Sequence, residues 1–240
     1  MFKGTKAVPV GQFSRKIAAA GGKENAFTSM DATCYFQQLE KSRLPLAFAL
    51  EADRMANLQI TDAEFVKEIE VVKEERRWRT EDKPQSRVSE QFQATAFHAH
   101  PYGRPIVGFM NDLEHMTAED AREWYKTWYA PNNATVVVVG DVQAQAVFAL
   151  AEKTFGKLTA KPLPPRKPQV EPAQMGERRA VVKAPAKLPY FVMGFHASVL
   201  KNGEAYSEQD WEPYALEVLS SILSGNDSAR LNQKLVREQA

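Results

Sequence analysis

A cluster of prolines divides the chain into two parts. Five of the residues from Lys161 to Pro172 are proline. Proline fixes φ and has no backbone N–H to donate, so it is excluded from helix interiors and central strands. Residues 161–177 are therefore predicted to form an extended linker. The linker separates a first domain, residues 1–160, from a second region, residues 178–240.

The first domain mixes helical and strand-like patterns. A helix is predicted over residues 12–20, ended by two glycines, and strand-like segments at Ala26–Ser29 and Ala32–Leu39 flank a turn at Met30-Asp31. Capping residues, first-turn prolines and apolar residues at helical spacing predict five further helices. The first of these helices begins at about Leu44. The others span about Thr61–Arg79, Pro84–Phe97, Thr117–Trp128 and Gln143–Phe155.

Several segments carry the residue types that strands prefer. Thr135–Val139 is an uninterrupted β-branched run, which predicts a strand buried on both faces. Beyond the linker, strands are predicted near Arg179–Lys183 and Tyr190–His196, followed by a helix over Trp211–Leu223. The interleaving predicts an α+β (mixed α/β) fold in which helices flank a sheet, with a second such domain beginning after the linker.

Composition and the chain ends exclude several classes of protein. A net charge of +1 argues against nucleic acid as a partner, and apolar runs such as Val136–Val139 are too short for a membrane span. Cys34 is the sole cysteine, which excludes an internal disulfide and a cysteine-based zinc site. Met1–Thr5 lacks a signal-peptide pattern and Leu231–Ala240 lacks a helix cap. We therefore expect both ends to be cut. Because a targeting signal could have been lost with the N-terminal end, the periplasm and the cytoplasm of a bacterium are both compatible locations.

The helix around residues 62–79 carries many glutamates among lysines and arginines. Glu68 and Glu75 lie seven residues apart, which is two helical turns, so both side chains project from one face. A metal site uses one carboxylate as a ligand and a second as support. The alternative is a solvated helix with pairs such as Glu70 and Lys73, and the pattern alone favours this alternative.

The four histidines form no recognisable metal motif. His98 and His100 would share a face of a strand, but no carboxylate accompanies them at a fixed short spacing. Loop packing and turn hydrogen bonds are the favoured roles for this pair. His115 precedes a helix and is predicted to be exposed, whereas His196 is predicted to be a satisfied core residue of an apolar strand.

Six segments of the chain resemble, in order, signatures of one known family. They are Met1–Thr5, Asn25–Ser29, Glu68–Glu75, His100–Gly108, Tyr129–Asp141 and Ala215–Leu231. Together they extend over essentially the whole chain, and they resemble the zinc metallopeptidases of the pitrilysin/insulinase type, peptidase family M16, in particular its bacterial processing-peptidase-like members. The first segment looks like the stretch that directly follows the family's His-x-x-Glu-His motif, and the last looks like the start of its second homologous domain.

The resemblance implies a role for five residues. Glu75 aligns with the zinc-binding glutamate. Glu68 aligns with the supporting glutamate seven residues earlier, which is not itself a zinc ligand. Asn25, Ala26 and Phe27 align with the edge strand that pairs with the substrate backbone. The resemblance thus reverses the preference for a merely solvated helix.

The two histidine ligands and the general-base glutamate of His-x-x-Glu-His are absent from the 240 residues. Catalytic zinc needs about three protein ligands. We therefore expect a fragment of a zinc metalloendopeptidase that hydrolyses peptides or unfolded protein segments, with zinc in the intact protein and neither zinc nor activity in this chain alone. The alternative is a non-catalytic partner subunit that helps to enclose substrate, and a generic α/β binding module is a third reading. Self-association or a homologous partner subunit is also expected.

Overall fold

The computed structural model describes residues 2–200 and 207–239. These residues fall into two compact units, the first ending at Tyr190 and the second beginning at Phe191. No helix in these described residues is both long enough and apolar enough to cross a membrane. The first unit contains two strands and seven α-helices. They are α1 (Gln12–Ala19), β1 (Lys23–Thr28), β2 (Thr33–Gln38), α2 (Leu44–Asn57), α3 (Asp62–Arg76), α4 (Pro84–Ala96), α5 (Met110–His115), α6 (Ala118–Trp128) and α7 (Ala144–Thr154).

Short helical turns complete the architecture. In the first unit they are Lys41–Arg43, Pro101–Gly103, Pro131–Asn133 and Phe155–Lys157 in 3₁₀ form, and Arg77–Glu81 in π form directly after α3. The second unit contains a 3₁₀ turn at Glu208–Trp211, helix α8 (Glu212–Ser224) and a π-helical turn at Asn232–Arg237. The fold is therefore α+β, as predicted, with helices around a two-stranded antiparallel sheet.

Local sequence signals set several helix boundaries where they were predicted. The Thr61 hydroxyl accepts the N–H of Glu64 at the start of α3. Thr117 and Asp120 form a reciprocal capping box at the start of α6. Gly21 adopts φ 74°, a left-handed conformation that glycine reaches without steric cost, and it ends α1.

A small apolar core joins the N-terminal helices. Phe13 and Ile17 of α1 pack with Leu50 of α2 and are almost fully buried. Phe2, Val8 and Leu46 pack against this cluster from its margin. Burial of such side chains contributes about 1.5–3 kcal/mol each, so this cluster fixes α1 on α2.

Arg54 connects α2 to the hairpin through its buried guanidinium and to α6 through its backbone carbonyl. The guanidinium lies 3.8 Å from the ring centroid of Tyr35 in β2, and its Nε donates to Glu51 Oε2 at 2.9 Å. The Tyr125 hydroxyl lies 2.8 Å from the Arg54 carbonyl oxygen, to which it donates. The Tyr35 and Tyr129 hydroxyls are 2.6 Å apart, and burial, aided by this hydrogen bond, raises the pKa of Tyr35.

A second buried arginine joins α3 to α4. Arg76 donates through both terminal nitrogens to the carboxylate of Glu90, with Nη2 2.8 Å from Oε1. Its guanidinium carbon also lies 5.9 Å from the ring centroid of Phe109. The hydrogen bond to Glu90 raises the pKa of Arg76. Bidentate pairing of this kind restricts orientation as well as distance, so it sets the angle between the two helices.

Three strand predictions are wrong within the residues that the structure describes. Thr135–Val139 forms no ladder, and the Val139 side chain is 93% exposed rather than buried. Arg179–Lys183 and Tyr190–His196 likewise form no strand, and His196 is exposed. β-branched and aromatic residues favour an extended backbone, but a strand also needs a neighbour to pair with. Among the described residues, only β1 and β2 provide one another with such a neighbour.

The proline-rich segment contains no helix or strand, but one of its side chains is anchored. The carboxylate of Glu171 accepts three successive backbone N–H groups, from His98 at 3.0 Å, Ala99 at 2.8 Å and His100 at 3.0 Å. These bonds, that from His100 foremost, lower the pKa of Glu171 to about 2. Hydrogen bonds to a carboxylate stabilise its charged form, so this contact is strongest when Glu171 is ionised.

Arg178, which directly follows this segment, anchors it at a second point. Its Nη1 donates to the carbonyl oxygens of Thr95 at 3.2 Å and Ala96 at 3.1 Å, at the C-terminal end of α4. The same nitrogen lies 3.3 Å from Glu171 Oε1. A helix C-terminus leaves carbonyl groups without intrahelical partners and favours a cation. Glu171 and Arg178 together, termed the linker clamp, hold the segment against the end of α4.

We expect Glu171→Gln to lower the free energy of unfolding in a pH-dependent manner. The folded pKa lies below the ordinary value of 4.5, so the ionised carboxylate stabilises the fold above about pH 4.5, and that contribution is lost as the pH falls towards 2. The measurement is the urea-unfolding free energy of the wild type minus that of the variant, from about pH 7 down to about pH 3. Glu177→Gln, which removes an exposed charge from the same segment, is the control. A difference that did not vary with pH would contradict the expectation.

Candidate functional site

One edge of β1 has no strand partner among the described residues. Ser29 N–H donates to the Ala32 carbonyl at 2.8 Å, so this pair is hydrogen-bonded across the hairpin. Hydrogen-bonded pairs alternate along an antiparallel ladder. In the observed register, the backbone groups of Glu24, Ala26 and Thr28 therefore point away from β2. They form what is termed here the free edge.

Of the three residues predicted to contact substrate, Ala26 lies on the free edge, and the backbone groups of Asn25 and Phe27 face β2. Ala26 N–H donates to the side-chain oxygen of Asn25 at 2.8 Å, so a local contact already occupies this amide. The Phe27 side chain is 58% exposed, and its ring centroid lies 6.4 Å from that of Phe36 on β2. The edge thus presents backbone hydrogen-bonding groups beside an exposed aromatic face.

The hairpin is anchored at both of its ends. Towards the open end, Gln37 Nε2 donates to Glu51 Oε1 of α2 at 2.6 Å. At the other end, the turn lies at Met30-Asp31 as predicted, and the Tyr102 hydroxyl donates to Asp31 Oδ2 at 2.6 Å. The strand that carries the free edge is therefore fixed by side chains from distant parts of the first unit.

Glu68 on α3 is paired with a lysine near the start of the chain. Lys3 Nζ lies 2.6 Å from Glu68 Oε1 and 3.6 Å from Glu64 Oε2. The hydrogen bond to Glu68 is the main cause that raises the pKa of Lys3. Both side chains are partly exposed, so this pair contributes at most about 1 kcal/mol.

Glu75 lies on the less exposed side of α3, as Glu68 does, and Glu74 lies on the solvent side. The Glu75 side chain is 37% exposed and pairs with Arg79 at 3.0 Å, whereas the Glu74 side chain is 70% exposed and pairs with Arg77. The helical period predicted this separation. The assignment of Glu75 as a zinc ligand remains a prediction.

The residues that the structure describes do not complete a metal site by themselves. No three histidine, cysteine, aspartate or glutamate side chains in them lie close enough together to hold an ion. His100 Nδ1 instead accepts the N–H of Tyr102 at 3.2 Å, a turn hydrogen bond of the predicted kind. His115 Nδ1 lies 2.7 Å from the Asn111 carbonyl oxygen. Glu75 alone falls short of the roughly three protein ligands that catalytic zinc requires.

Sequence reasoning missed the contacts of Lys3, Tyr102 and Glu171. The partners of Glu171 lie 71 to 73 residues away along the chain, and no spacing rule connects them. A glutamate between prolines gives no local signal of burial. Such contacts arise only when loops meet in the folded chain.

Two family models match the chain. Residues 1–109 match the model described as insulinase, peptidase family M16. Residues 115–240 match the model described as the peptidase M16 inactive domain. Nearly the whole chain is therefore matched by the two models together.

Curated relatives include bacterial zinc proteases. The chain is 36% identical to the zinc protease PqqE of Helicobacter pylori, over 98% of this chain and 52% of that protein. It is 31% identical to a Mycobacterium leprae protein named uncharacterized zinc protease ML0855, over 98% of this chain and 51% of that protein. The chain thus spans about half the length of the curated relatives it matches.

Solved structures show the same fold. A crystal structure of a protease from Helicobacter pylori matches with a TM-score of 0.80 and 34% identity, over 98% of this chain and 56% of that chain. The periplasmic protease PqqL from Escherichia coli matches with a TM-score of 0.64 and 26% identity, over 72% of this chain and 20% of that chain.

Proposed function

The chain belongs to peptidase family M16, the insulinase family, and from this premise we propose that it forms part of a zinc-dependent metalloendopeptidase that hydrolyses peptides or unfolded protein segments. The observation that carries the proposal is the placement of Glu68 and Glu75 on the less exposed side of α3. In the proposed site, Glu75 is a zinc ligand and Glu68 supports it.

The first residues of the chain support this assignment. Lys3 pairs with Glu68 of α3, and the ring of Phe2 lies 5.8 Å, centroid to centroid, from that of Tyr35 on the hairpin. These residues resemble the stretch that directly follows His-x-x-Glu-His in the family. A segment carrying that motif and joined to Phe2 would therefore enter beside α3 and the hairpin.

The chain alone does not fit a catalytic zinc. The two histidine ligands and the general-base glutamate are not among the 240 residues, and one carboxylate holds zinc weakly. A polypeptide of this sequence is therefore proposed to be inactive.

The second candidate function is a non-catalytic M16 subunit that helps to enclose substrate. It is favoured by the match of residues 115–240 to a domain described as inactive. The retained Glu68 and Glu75 favour the first candidate.

We further propose that peptides pair with the free edge of β1. Strand addition uses unpaired backbone groups for affinity and neighbouring side chains for specificity. Ala26 supplies the backbone groups once the Asn25 side chain turns away, and Phe27 supplies apolar contact.

We also propose that the chain divides into a first domain, residues 1–160, a linker, residues 161–177, and the start of a second homologous domain, residues 178–240.

A polypeptide of these 240 residues should show no zinc-dependent peptidase activity and should bind zinc weakly. The reason is that Glu75 is its one proposed ligand. Isothermal titration with zinc and cleavage of an unstructured fluorogenic peptide measure the two properties. The matched control is the same polypeptide preceded by a His-x-x-Glu-His segment from a relative. Chelator-sensitive cleavage by the 240-residue polypeptide would show the proposal to be wrong.

Three charge-neutralising variants of α3 should differ in a fixed order. In the protein that carries His-x-x-Glu-His, Glu75→Gln should nearly abolish cleavage, because an amide is a poor substitute for a charged ligand. Glu68→Gln should cost about 10–100-fold in activity or zinc affinity, as losses around a ligand typically do. Glu74→Gln, on the solvent side of the same helix, is the control and should change little. Equal losses in Glu74→Gln and Glu75→Gln would refute the assignment.

The 240-residue polypeptide should self-associate through exposed apolar residues. Val137 and Val139 in the first unit are largely exposed, as are Phe191 and Phe195 in the second. Exposed apolar surface of this kind tends to be covered by another chain, either a second copy or a homologous subunit. Sedimentation velocity over a range of concentrations measures the association, and a variant with Val137→Asp and Val139→Asp should weaken it. A monomer at all concentrations would contradict the prediction.

A further inference from the structure

A continuous series of contacts connects the linker to the hairpin that carries the free edge. Glu171 accepts the backbone N–H groups of residues 98–100. His100 Nδ1 then accepts the N–H of Tyr102 at 3.2 Å. The Tyr102 hydroxyl donates to Asp31, in the turn between β1 and β2, at 2.6 Å. Each contact fixes the segment that makes the next one.

The loop between Glu171 and the hairpin is packed tightly enough to transmit position. The rings of His100 and Tyr102 are perpendicular, with centroids 4.4 Å apart, and the ring of Phe97 lies 5.8 Å from the first and 6.0 Å from the second. A Cβ on Gly103 would clash with the Phe97 carbonyl oxygen. The loop therefore closes on itself at a separation that glycine alone permits.

The hairpin needs such an anchor. A two-stranded hairpin is marginally stable in water without further packing, and the Met30-Asp31 end of this one is exposed. The Asp31 carboxylate is the side chain through which Tyr102 holds that end. A strand that is ordered before a peptide arrives avoids the entropy loss of ordering during binding.

We propose that Glu171 is a positioning residue for the free edge: by holding residues 98–100 it keeps Tyr102 on Asp31 and thereby keeps β1 ordered for strand addition. Glu171 touches no substrate in this arrangement. The inference rests on the proposed peptide-binding role of β1. It assigns residues 161–177, predicted from the sequence to be a linker, a part in substrate affinity.

Hydrogen exchange of the 240-residue polypeptide tests the structural half of the proposal. Glu171→Gln and Tyr102→Phe should each speed exchange of amides in β1 and β2 by about fivefold, the scale of one lost hydrogen bond. Glu177→Gln removes an exposed charge from the same segment and should leave this exchange unchanged. The double variant should exchange no faster than the more affected single variant, because both changes interrupt one path. Faster exchange confined to residues 98–100 and the linker would overturn the proposal.

Peptide cleavage by the protein that carries His-x-x-Glu-His tests the functional half. Glu171→Gln should raise KM about fivefold with little change in kcat, because it disorders the binding strand and leaves Glu68 and Glu75 in place. A lower kcat for Glu171→Gln with no change in KM would contradict the positioning role. If the protein with the motif cleaved no peptide, the proposed function would fail. The exchange experiment would then still decide whether Glu171 orders the hairpin.

Discussion

The buried pair of Arg54 and Glu51 is the interaction on which the first unit depends. A buried guanidinium is tolerated only when it is paired and hydrogen-bonded, and loss of one partner costs on the order of 3–5 kcal/mol. The same Glu51 carboxylate accepts from Gln37 of β2, while the guanidinium stacks on Tyr35 of β2. The electrostatic requirement of one side chain therefore places the hairpin on α2. Tyr125 and Tyr129 extend the arrangement to α6.

The ion pairs of the scaffold differ in burial from those of the proposed site. Arg54 and Arg76 are buried and hydrogen-bonded by carboxylates. Arg76 joins α3 to Glu90 of α4, whereas Arg54 pairs with Glu51 of its own helix and stacks on Tyr35 of the hairpin, so neither contact can open without exposing or stranding a charge. Glu68 and Glu75 pair with cations in contact with solvent, where a pair is worth about 0–1 kcal/mol. The cation partners of Glu68 and Glu75 can therefore be replaced at little cost in free energy. The proposed role requires this, because Glu75 must leave Arg79 in order to bind zinc.

The sequence predicted the features that depend on neighbouring residues. The caps at Thr61 and Thr117 and the turn at Met30-Asp31 follow from side chains three or fewer residues apart. The shared side of Glu68 and Glu75 follows from the helical period. The strand at Thr135–Val139 was predicted wrongly because its local preference for an extended backbone says nothing about a pairing partner. The contacts of Glu171 and of Lys3 could not be predicted, because they form between segments far apart along the chain.

The hydrogen bond from Ala26 N–H to the Asn25 side chain has a consequence for unwanted association. An exposed strand edge is ordinarily a template onto which any extended chain can add, and repeated addition leads to aggregates. At Ala26 an incoming strand must first break this bond, so the backbone contact at that residue brings little net free energy. In the proposed strand addition, capture therefore depends on what the side chains add, above all at Phe27. A transiently unfolded chain whose side chains do not suit Phe27 would then add only weakly to this edge. A peptide whose side chains pack on Phe27 would add more strongly.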